Sequence, residues 1–264
     1  MATLAKRGFP MTGRGMTRRE LLRRCGMSGA AYWLASGTSA AEDLIPATIA
    51  MDHLLVGVSS LEEGIAWVER LTGVKAVRGG SQAGQGTHNA LLSLGGSQYL
   101  EIIAPDPEQA EYKPVNFLND LRTFTEPRLF AWAAGVDDTD PEQIEAIAEN
   151  FRKTAQRFVG PNEGSRARPD GQVLHWRSIL VLNRFARLGA EPIPFLIQWA
   201  PFSPHPSEDS PRGCKLVSFA IEHPEPVGVV NSLTSLGIAA PVIRAKNARL
   251  RARLATPKGE VELS

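Results

Sequence analysis

The chain has 264 residues, of which 43% are hydrophobic and 22% are charged, and its formal net charge is +1. Residues 1–41 contain seven Lys or Arg and one Glu, a net charge of +6, so the remaining 223 residues carry a net charge of about −5. This balance leaves no basic patch that would argue for a nucleic-acid partner. The two cysteines are Cys25 and Cys214, and with the first in the leader no internal disulfide can form in the rest of the chain.

The first 41 residues have the pattern of an export signal. Arg18 and Arg19 begin a basic segment, a short and weakly apolar stretch follows, and small residues lead to Ala41. The pattern resembles a bacterial twin-arginine translocation signal. The apolar stretch is too short for a stable membrane span, which takes about 20 apolar residues. We therefore expect residues 1–41 to be a signal peptide cleaved near Ala40 or Ala41, and the mature protein to be periplasmic or exported. The alternatives are a basic amphipathic tail and a disordered leader.

Residues 49–105 predict a strand, a helix and three further strands. The first strand runs through His53, and the helix begins at Leu61 after a capping signal and ends at Gly73. The three following strands are predicted at Val74–Arg78, His88–Leu94 and Gln98–Ile103.

The same order of elements then recurs. Residues 106–127 form a connector, with a short helix near Val115–Arg122. Residues 128–202 predict a second unit, with a strand at Leu129–Val136, an amphipathic helix at Ile144–Phe158 and later strands near Val173–Asn183 and Ile193–Trp199. After a proline-rich connector at Pro201–Gly213, residues 213–264 predict a smaller third unit, with a strand at Lys215–Glu222, a helix near Glu225–Leu236 and strands near Pro241–Arg244, Leu250–Ala255 and Glu260–Leu263.

This order resembles the vicinal oxygen chelate superfamily, and within it the glyoxalase-like domain proteins. The resemblance is carried by the segments DHLLV at 52–56, GTHNAL at 86–91 and YLEII at 99–103, and it covers about residues 49–264. It implies an α+β fold in which repeated βαβββ modules form curved, mostly antiparallel sheets around a concave pocket. Because modules in this superfamily pair within or between chains, the resemblance leaves a homodimer open.

The resemblance also implies a divalent metal, with one ligand from the first strand of a module and one from its last. Those positions are His53 and Glu101, and a third ligand is expected from His88 or His205. Imidazole and carboxylate groups suit Zn, Ni, Mn or Fe(II). The two side chains must then lie on the same face of neighbouring strands, with their ligand atoms within about 4 Å. At most one metal per chain is expected, because the matching positions in the other modules are Ala131, Ile197 and Val217.

Four further residues are predicted to line a substrate pocket: Asn89, Trp132, Arg177 and Gln198. No general base can be named from the sequence, and the glycine pairs lack the strand-to-helix context of a nucleotide-binding loop. The leading function is a metal-dependent lyase, isomerase or dioxygenase that acts on a small oxygenated organic molecule. The alternatives are a metal-free protein that binds or sequesters a small molecule, and an assembly unit.

Overall fold

The computed structural model describes residues 44–109, 111–113 and 119–264. The predicted signal peptide lies outside the described residues. The helices are α1 (Ala47–Ala50), α2 (Leu61–Thr72), α3 (Gln143–Lys153), α4 (Pro206–Asp209) and α5 (Pro226–Ser235), together with a 3-10 turn at Leu121–Thr123. Within the described residues, no helix is long and apolar enough to cross a membrane.

One eight-stranded sheet forms the main part of the molecule. After the two-residue strand β1 (Ile45–Pro46), its members are β2 (Met51–Gly57), β3 (Val77–Gln82), β4 (Thr87–Gly95), β5 (Gln98–Pro105), β6 (Arg128–Gly135), β7 (Phe158–Ala167), β8 (Val173–Val181) and β9 (Phe195–Trp199). Their order is β3-β4-β5-β2-β6-β9-β8-β7. The pairs β2–β5 and β6–β9 are parallel and the others are antiparallel. This confirms the predicted α+β class with a curved, mostly antiparallel sheet.

The last part of the chain forms a separate, smaller sheet. The strands in this part of the chain are β10 (Lys215–His223), β11 (Ile238–Ala239), β12 (Val242–Arg244), β13 (Arg249–Thr256) and β14 (Gly259–Leu263). Four of them form a sheet in the order β12-β10-β13-β14, and β11 pairs with β1. The ring of Phe219 lies 5.1 Å from that of Trp132, which places this sheet against one face of the large one.

The large sheet has one face covered by helices and one face left for a site. Alternate residues such as Leu54, Val56 and Trp132 share a single apolar core with Ile144 and Phe151 of α3. The residues between them, which include Leu55, Tyr99 and Ile197, form separate apolar clusters on the opposite, concave face. Since side chains alternate along a regular strand, this division assigns the regularly paired residues of the central strands to one face or the other.

The large sheet curls until its two edge strands meet. Arg166 on β7 donates a hydrogen bond to the carbonyl oxygen of Gly79 on β3. Gly80 has a φ of +126°, and a Cβ at this position would collide with the carbonyl oxygen of Ala167. The close approach of the two edges therefore requires glycine at residue 80, and it encloses the concave face.

Several predicted elements differ from the observed ones, and the strand expected at Val74–Arg78 is observed at Val77–Gln82. The helix expected at Ile144–Phe158 ends at Lys153, because Phe158 begins β7. This strand was not predicted, since Gly160, Pro161 and Gly164 interrupt any apolar alternation. An edge strand tolerates such residues because one side of its backbone needs no partner. The short helix expected near residues 115–122 lies partly outside the described residues; the 3-10 turn is observed at its end.

We expect Trp132→Ala to lower the free energy of unfolding by about 3–5 kcal/mol, because Trp132 is fully buried and its removal leaves a cavity. Urea denaturation followed by circular dichroism measures this change. The control is Phe202→Ala, at a side chain that is 75% exposed, and we expect it to change the free energy by less than about 0.5 kcal/mol. Equal effects of the two substitutions would contradict this assignment of the core.

Candidate functional site

His53 and Glu101 lie together on the concave face. Their strands, β2 and β5, are parallel neighbours, and His53 pairs with Tyr99, two residues before Glu101. The distance from His53 Nε2 to Glu101 Oε2 is 3.4 Å, and both side chains are buried. The two predicted metal ligands therefore lie on the same face of neighbouring strands and within 4 Å.

Asp52 is a third charged group at this site, and the sequence analysis did not identify it. The pairing of β2 with β6 is irregular between Met51 and His53, so Asp52 has no partner residue on β6. Its carboxylate accepts a hydrogen bond from His53 Nδ1 at 2.8 Å and one from Trp199 Nε1 at 3.3 Å. Regular alternation would place adjacent residues on opposite faces; the irregularity places Asp52 and His53 together.

His205 also contacts the Asp52 carboxylate. It comes from the proline-rich connector, directly before α4, and its Nε2 donates to Asp52 Oδ2 at 3.1 Å. Its Nδ1 lies 2.7 Å from the hydroxyl oxygen of Ser207. Burial would raise the pKa of Asp52, but His205 and His53 outweigh that effect and hold the pKa well below its usual range. Asp52 is therefore an ionised carboxylate in the protein interior.

The Glu101 carboxylate is oriented from its other side by neutral donors. Its Oε1 accepts hydrogen bonds from Asn89 Nδ2 at 2.7 Å and from Gln82 Nε2 at 3.3 Å. Thr87 in turn donates to Gln82 through its hydroxyl group. Oε1 is thus occupied by amide donors, and Oε2 is the oxygen that faces His53.

Aromatic rings exclude water from this cluster. Tyr99 stacks on His53 with ring centroids 4.5 Å apart, and Phe195 meets the same imidazole edge-on at 5.5 Å. Tyr99 also contacts the ring of His205. Burial raises the pKa of Tyr99 well above its usual value, so its phenol stays neutral. The histidines and carboxylates therefore interact in a low-dielectric environment, where electrostatic interactions are stronger than in water.

Two residues predicted at the site lie elsewhere. His88 precedes Asn89 on β4 and faces the other side of the sheet, where its Nδ1 lies 3.9 Å from Asp106 Oδ1. Burial lowers the pKa of His88. Trp132 is fully buried in the core on the helix-covered face and donates to the carbonyl oxygen of Pro192. His88 is therefore not placed to share a metal with His53 and Glu101, and Trp132 is not placed to contact a ligand.

Arg177 and Gln198 were predicted as pocket residues, and they lie outside the charged cluster. Arg177 donates to Gln198 Oε1 at 2.8 Å, and Gln198 donates to the backbone oxygens of Asp137 and Asp140. Both line a cleft whose aromatic surfaces are Trp176, Trp199 and Phe202. Trp199 belongs to both places: its ring lines the cleft, and its N–H reaches Asp52.

The described residues contain no group of three or more His, Cys, Asp or Glu side chains arranged to hold a metal ion. Ala131 and Ile197 of the second module lie on the concave face and are apolar. His205 Nε2 is engaged by Asp52. The donor atoms that face a common point are therefore His53 Nε2 and Glu101 Oε2.

We expect the Asp52 carboxylate to make stability depend on pH. Because its pKa in the folded protein is depressed, it stabilises the fold above the unfolded value of about 3.9, and this contribution is lost as the pH falls further. In chelator-treated protein, Asp52→Asn should lower the free energy of unfolding by on the order of 3 kcal/mol at pH 6. The difference from wild type should shrink below about pH 4. Urea denaturation at several pH values measures it; a difference that is constant from pH 6 to pH 3 would contradict the assignment.

Comparison with known proteins identifies the family. The profile of the glyoxalase-like domain family matches residues 51–237. No curated protein matches the chain. A hypothetical protein from Staphylococcus aureus has a similar structure, with a TM-score of 0.56 and 16% identity over 75% of this chain and 87% of that one.

Methylmalonyl-CoA epimerase from Mycobacterium tuberculosis aligns with a TM-score of 0.36 and 17% identity, over 62% of this chain and 93% of that one. A Streptomyces coelicolor methylmalonyl-CoA epimerase, in complex with 2-nitronate-propionyl-CoA, aligns with a TM-score of 0.37 and 16% identity, over 58% of this chain and 96% of that one. The S. aureus structure supports the fold. Because the family profile covers well over half of the sequence, this chain belongs to the glyoxalase-like domain family.

Proposed function

We propose that this chain is a metal-dependent enzyme that acts on a small oxygenated organic molecule, with His53 and Glu101 as its protein ligands to the metal. The observation that carries the proposal is the orientation of these two side chains. His53 Nε2 and Glu101 Oε2 face each other at 3.4 Å. Two ligand atoms bonded at about 2.1 Å to one tetrahedral ion are about 3.4 Å apart, so the separation suits a shared ion.

The surrounding hydrogen bonds support the same interpretation. A histidine that binds a metal usually donates its other ring N–H to a carboxylate, and a ligating carboxylate is itself hydrogen-bonded. His53 Nδ1 contacts Asp52, and Glu101 Oε1 is bonded by Asn89 and Gln82. The supporting contacts therefore use His53 Nδ1 and Glu101 Oε1. The other atoms of the two side chains, His53 Nε2 and Glu101 Oε2, face each other.

The ion and the surrounding residues would have different roles in catalysis. When bound, the ion would polarise a substrate oxygen as a Lewis acid at coordination positions that the protein does not fill. Asp52 orients the imidazole of His53, while Tyr99 and Phe195 exclude water from its ring. The proposal covers lyase, isomerase and dioxygenase chemistry.

We expect the full chain, purified without chelator, to contain a divalent metal, and His53→Gln and Glu101→Gln each to lose most of it. The physical reason is that each substitution removes one of two protein ligands. Elemental analysis by mass spectrometry measures the metal content directly, without a known substrate. Asp52→Asn should retain the metal but weaken its affinity by about 10- to 100-fold, as expected for a residue that supports a ligand.

The matched control is His88→Gln, which removes a histidine of the same module from the other face of the sheet. Its metal content should equal that of the wild type. Retention of the metal by both His53→Gln and Glu101→Gln would refute the ligand assignment.

A metal-free binding protein is the second candidate function. It is favoured by the apolar residues Ala131 and Ile197 and by the cleft between Trp176, Trp199 and Phe202, which offers aromatic surface to a flat ligand. A wild-type protein without any metal would move this candidate ahead of the enzyme.

We further propose that the chain is exported through its twin-arginine leader. Since this route carries folded proteins, a metal would be bound before export. Replacing Arg18 and Arg19 by lysine should leave the protein in the cytoplasm, as measured by cell fractionation and immunoblotting. Unchanged export of the double variant would refute the signal assignment.

A further inference from the structure

Arg166 is a buried cation on the concave face that the proposed metal site does not use. It lies on β7 opposite Leu174, which belongs to the concave apolar cluster with Tyr99 and Trp199. The side chain is only 4% exposed. Burial lowers the pKa of its guanidinium, and the charge of Glu101 opposes that change. Arg166 therefore carries a positive charge beside the His53 and Glu101 pair.

The hydrogen-bonding capacity of Arg166 is mostly unused by the protein. A guanidinium has five N–H donors. In the described part of the chain, its hydrogen bond goes to the carbonyl oxygen of Gly79, and no carboxylate lies within ion-pair distance. A buried guanidinium is more stable when its N–H donors are paired with acceptors. Donors thus remain for an anion that is not part of the protein.

A buried polar atom without a hydrogen-bond partner lies beside Arg166. Asn89 is 3% exposed, and its Oδ1 has no hydrogen-bond partner. The amide cannot turn around, because its Nδ2 is needed by the Oε1 of Glu101. A Cβ at Gly79 would contact both Asn89 Oδ1 and Arg166 Nη1, so the two groups lie next to each other. They provide an acceptor and several donors, side by side, adjacent to Glu101.

One wall of the aromatic cleft, formed by Gly164, Trp176 and Trp199, lies on the same face of the sheet as Arg166. Gly164, two residues earlier on β7, shares its face and lines the cleft opposite Trp176. Glycine at this position leaves room for the indole, since a Cβ would collide with it. Arg166 therefore lies two residues along β7 from this wall of the cleft.

We infer that Arg166 binds a carboxylate group of the substrate, and that Asn89 Oδ1 accepts a hydrogen bond from a neighbouring hydroxyl group of that substrate. The inference rests on the proposed function, because it places the substrate oxygens beside His53 and Glu101. It narrows the substrate class to small hydroxycarboxylates. Arginine suits this role because its planar fork forms two parallel hydrogen bonds to a carboxylate.

The test compares glycolate, which carries a carboxylate next to a hydroxyl group, with its neutral analogue glycolamide. Isothermal titration calorimetry of the full chain, as purified, measures both affinities. Hydrogen bonds to a charged group contribute about 1.5–3 kcal/mol, so we expect glycolate to bind roughly 10- to 100-fold more tightly than glycolamide. Arg166→Gln should abolish this preference, and Arg166→Lys should retain part of it.

The control is Arg157→Gln, at an exposed arginine just before β7, which should keep the wild-type preference. A purely structural role of Arg166 in joining β3 to β7 would weaken both ligands equally and leave their ratio unchanged. Equal binding of glycolate and glycolamide to the wild type, or no binding of glycolate, overturns the inference without any variant.

Metal content separates this inference from the proposed function. Arg166→Gln should contain as much metal as the wild type, since Arg166 is not a ligand. If the wild type contains no metal but its preference for glycolate depends on Arg166, the metal proposal fails and the carboxylate site stands. If metal is bound as expected and Arg166→Gln keeps the preference, the carboxylate site alone fails.

Discussion

Burial of the Asp52 carboxylate constrains the rest of the site. An ionised carboxylate in the interior is stable only when hydrogen bonds and opposite charges replace its hydration. Here His53, His205 and Trp199 make those contacts. The orientation of His53 follows from the first of these contacts, and the position of the connector follows from the second. Glu101 then faces the remaining nitrogen of an imidazole whose orientation is already determined.

The sequence predicted the fold class and one half of the site well. Strand patterns place His53 and Glu101 in the first and last strands of one module, and the two strands are neighbours in the sheet. Asn89 was expected near a ligand and contacts Glu101. The strands were predicted from local alternation, and the choice of His53 and Glu101 as ligands came from the resemblance to the superfamily.

The positions of the remaining site residues depend on structural features that a local sequence pattern does not contain. Asp52 was not predicted at the site, because regular alternation would place it on the face opposite His53 and the strand irregularity at its position has no sequence signal. His88 and Trp132 were placed at the site for their chemistry alone, although alternation from Asn89 and Ala131 would have put them on the other face. Arg166 belongs to a strand with no apolar alternation, and it reaches the site only because the sheet curls.

The contact between His205 and Asp52 joins residues 153 positions apart in the chain. Contacts between such distant residues carry a large loop-closure entropy and form slowly. Until the connector docks, the Asp52 carboxylate lacks the hydrogen bond from His205. The charged cluster is therefore complete only when the first module and the connector are both in place. A chain that ends before His205 would contain both Asp52 and His53, but it would lack the hydrogen bond by which the connector holds the Asp52 carboxylate.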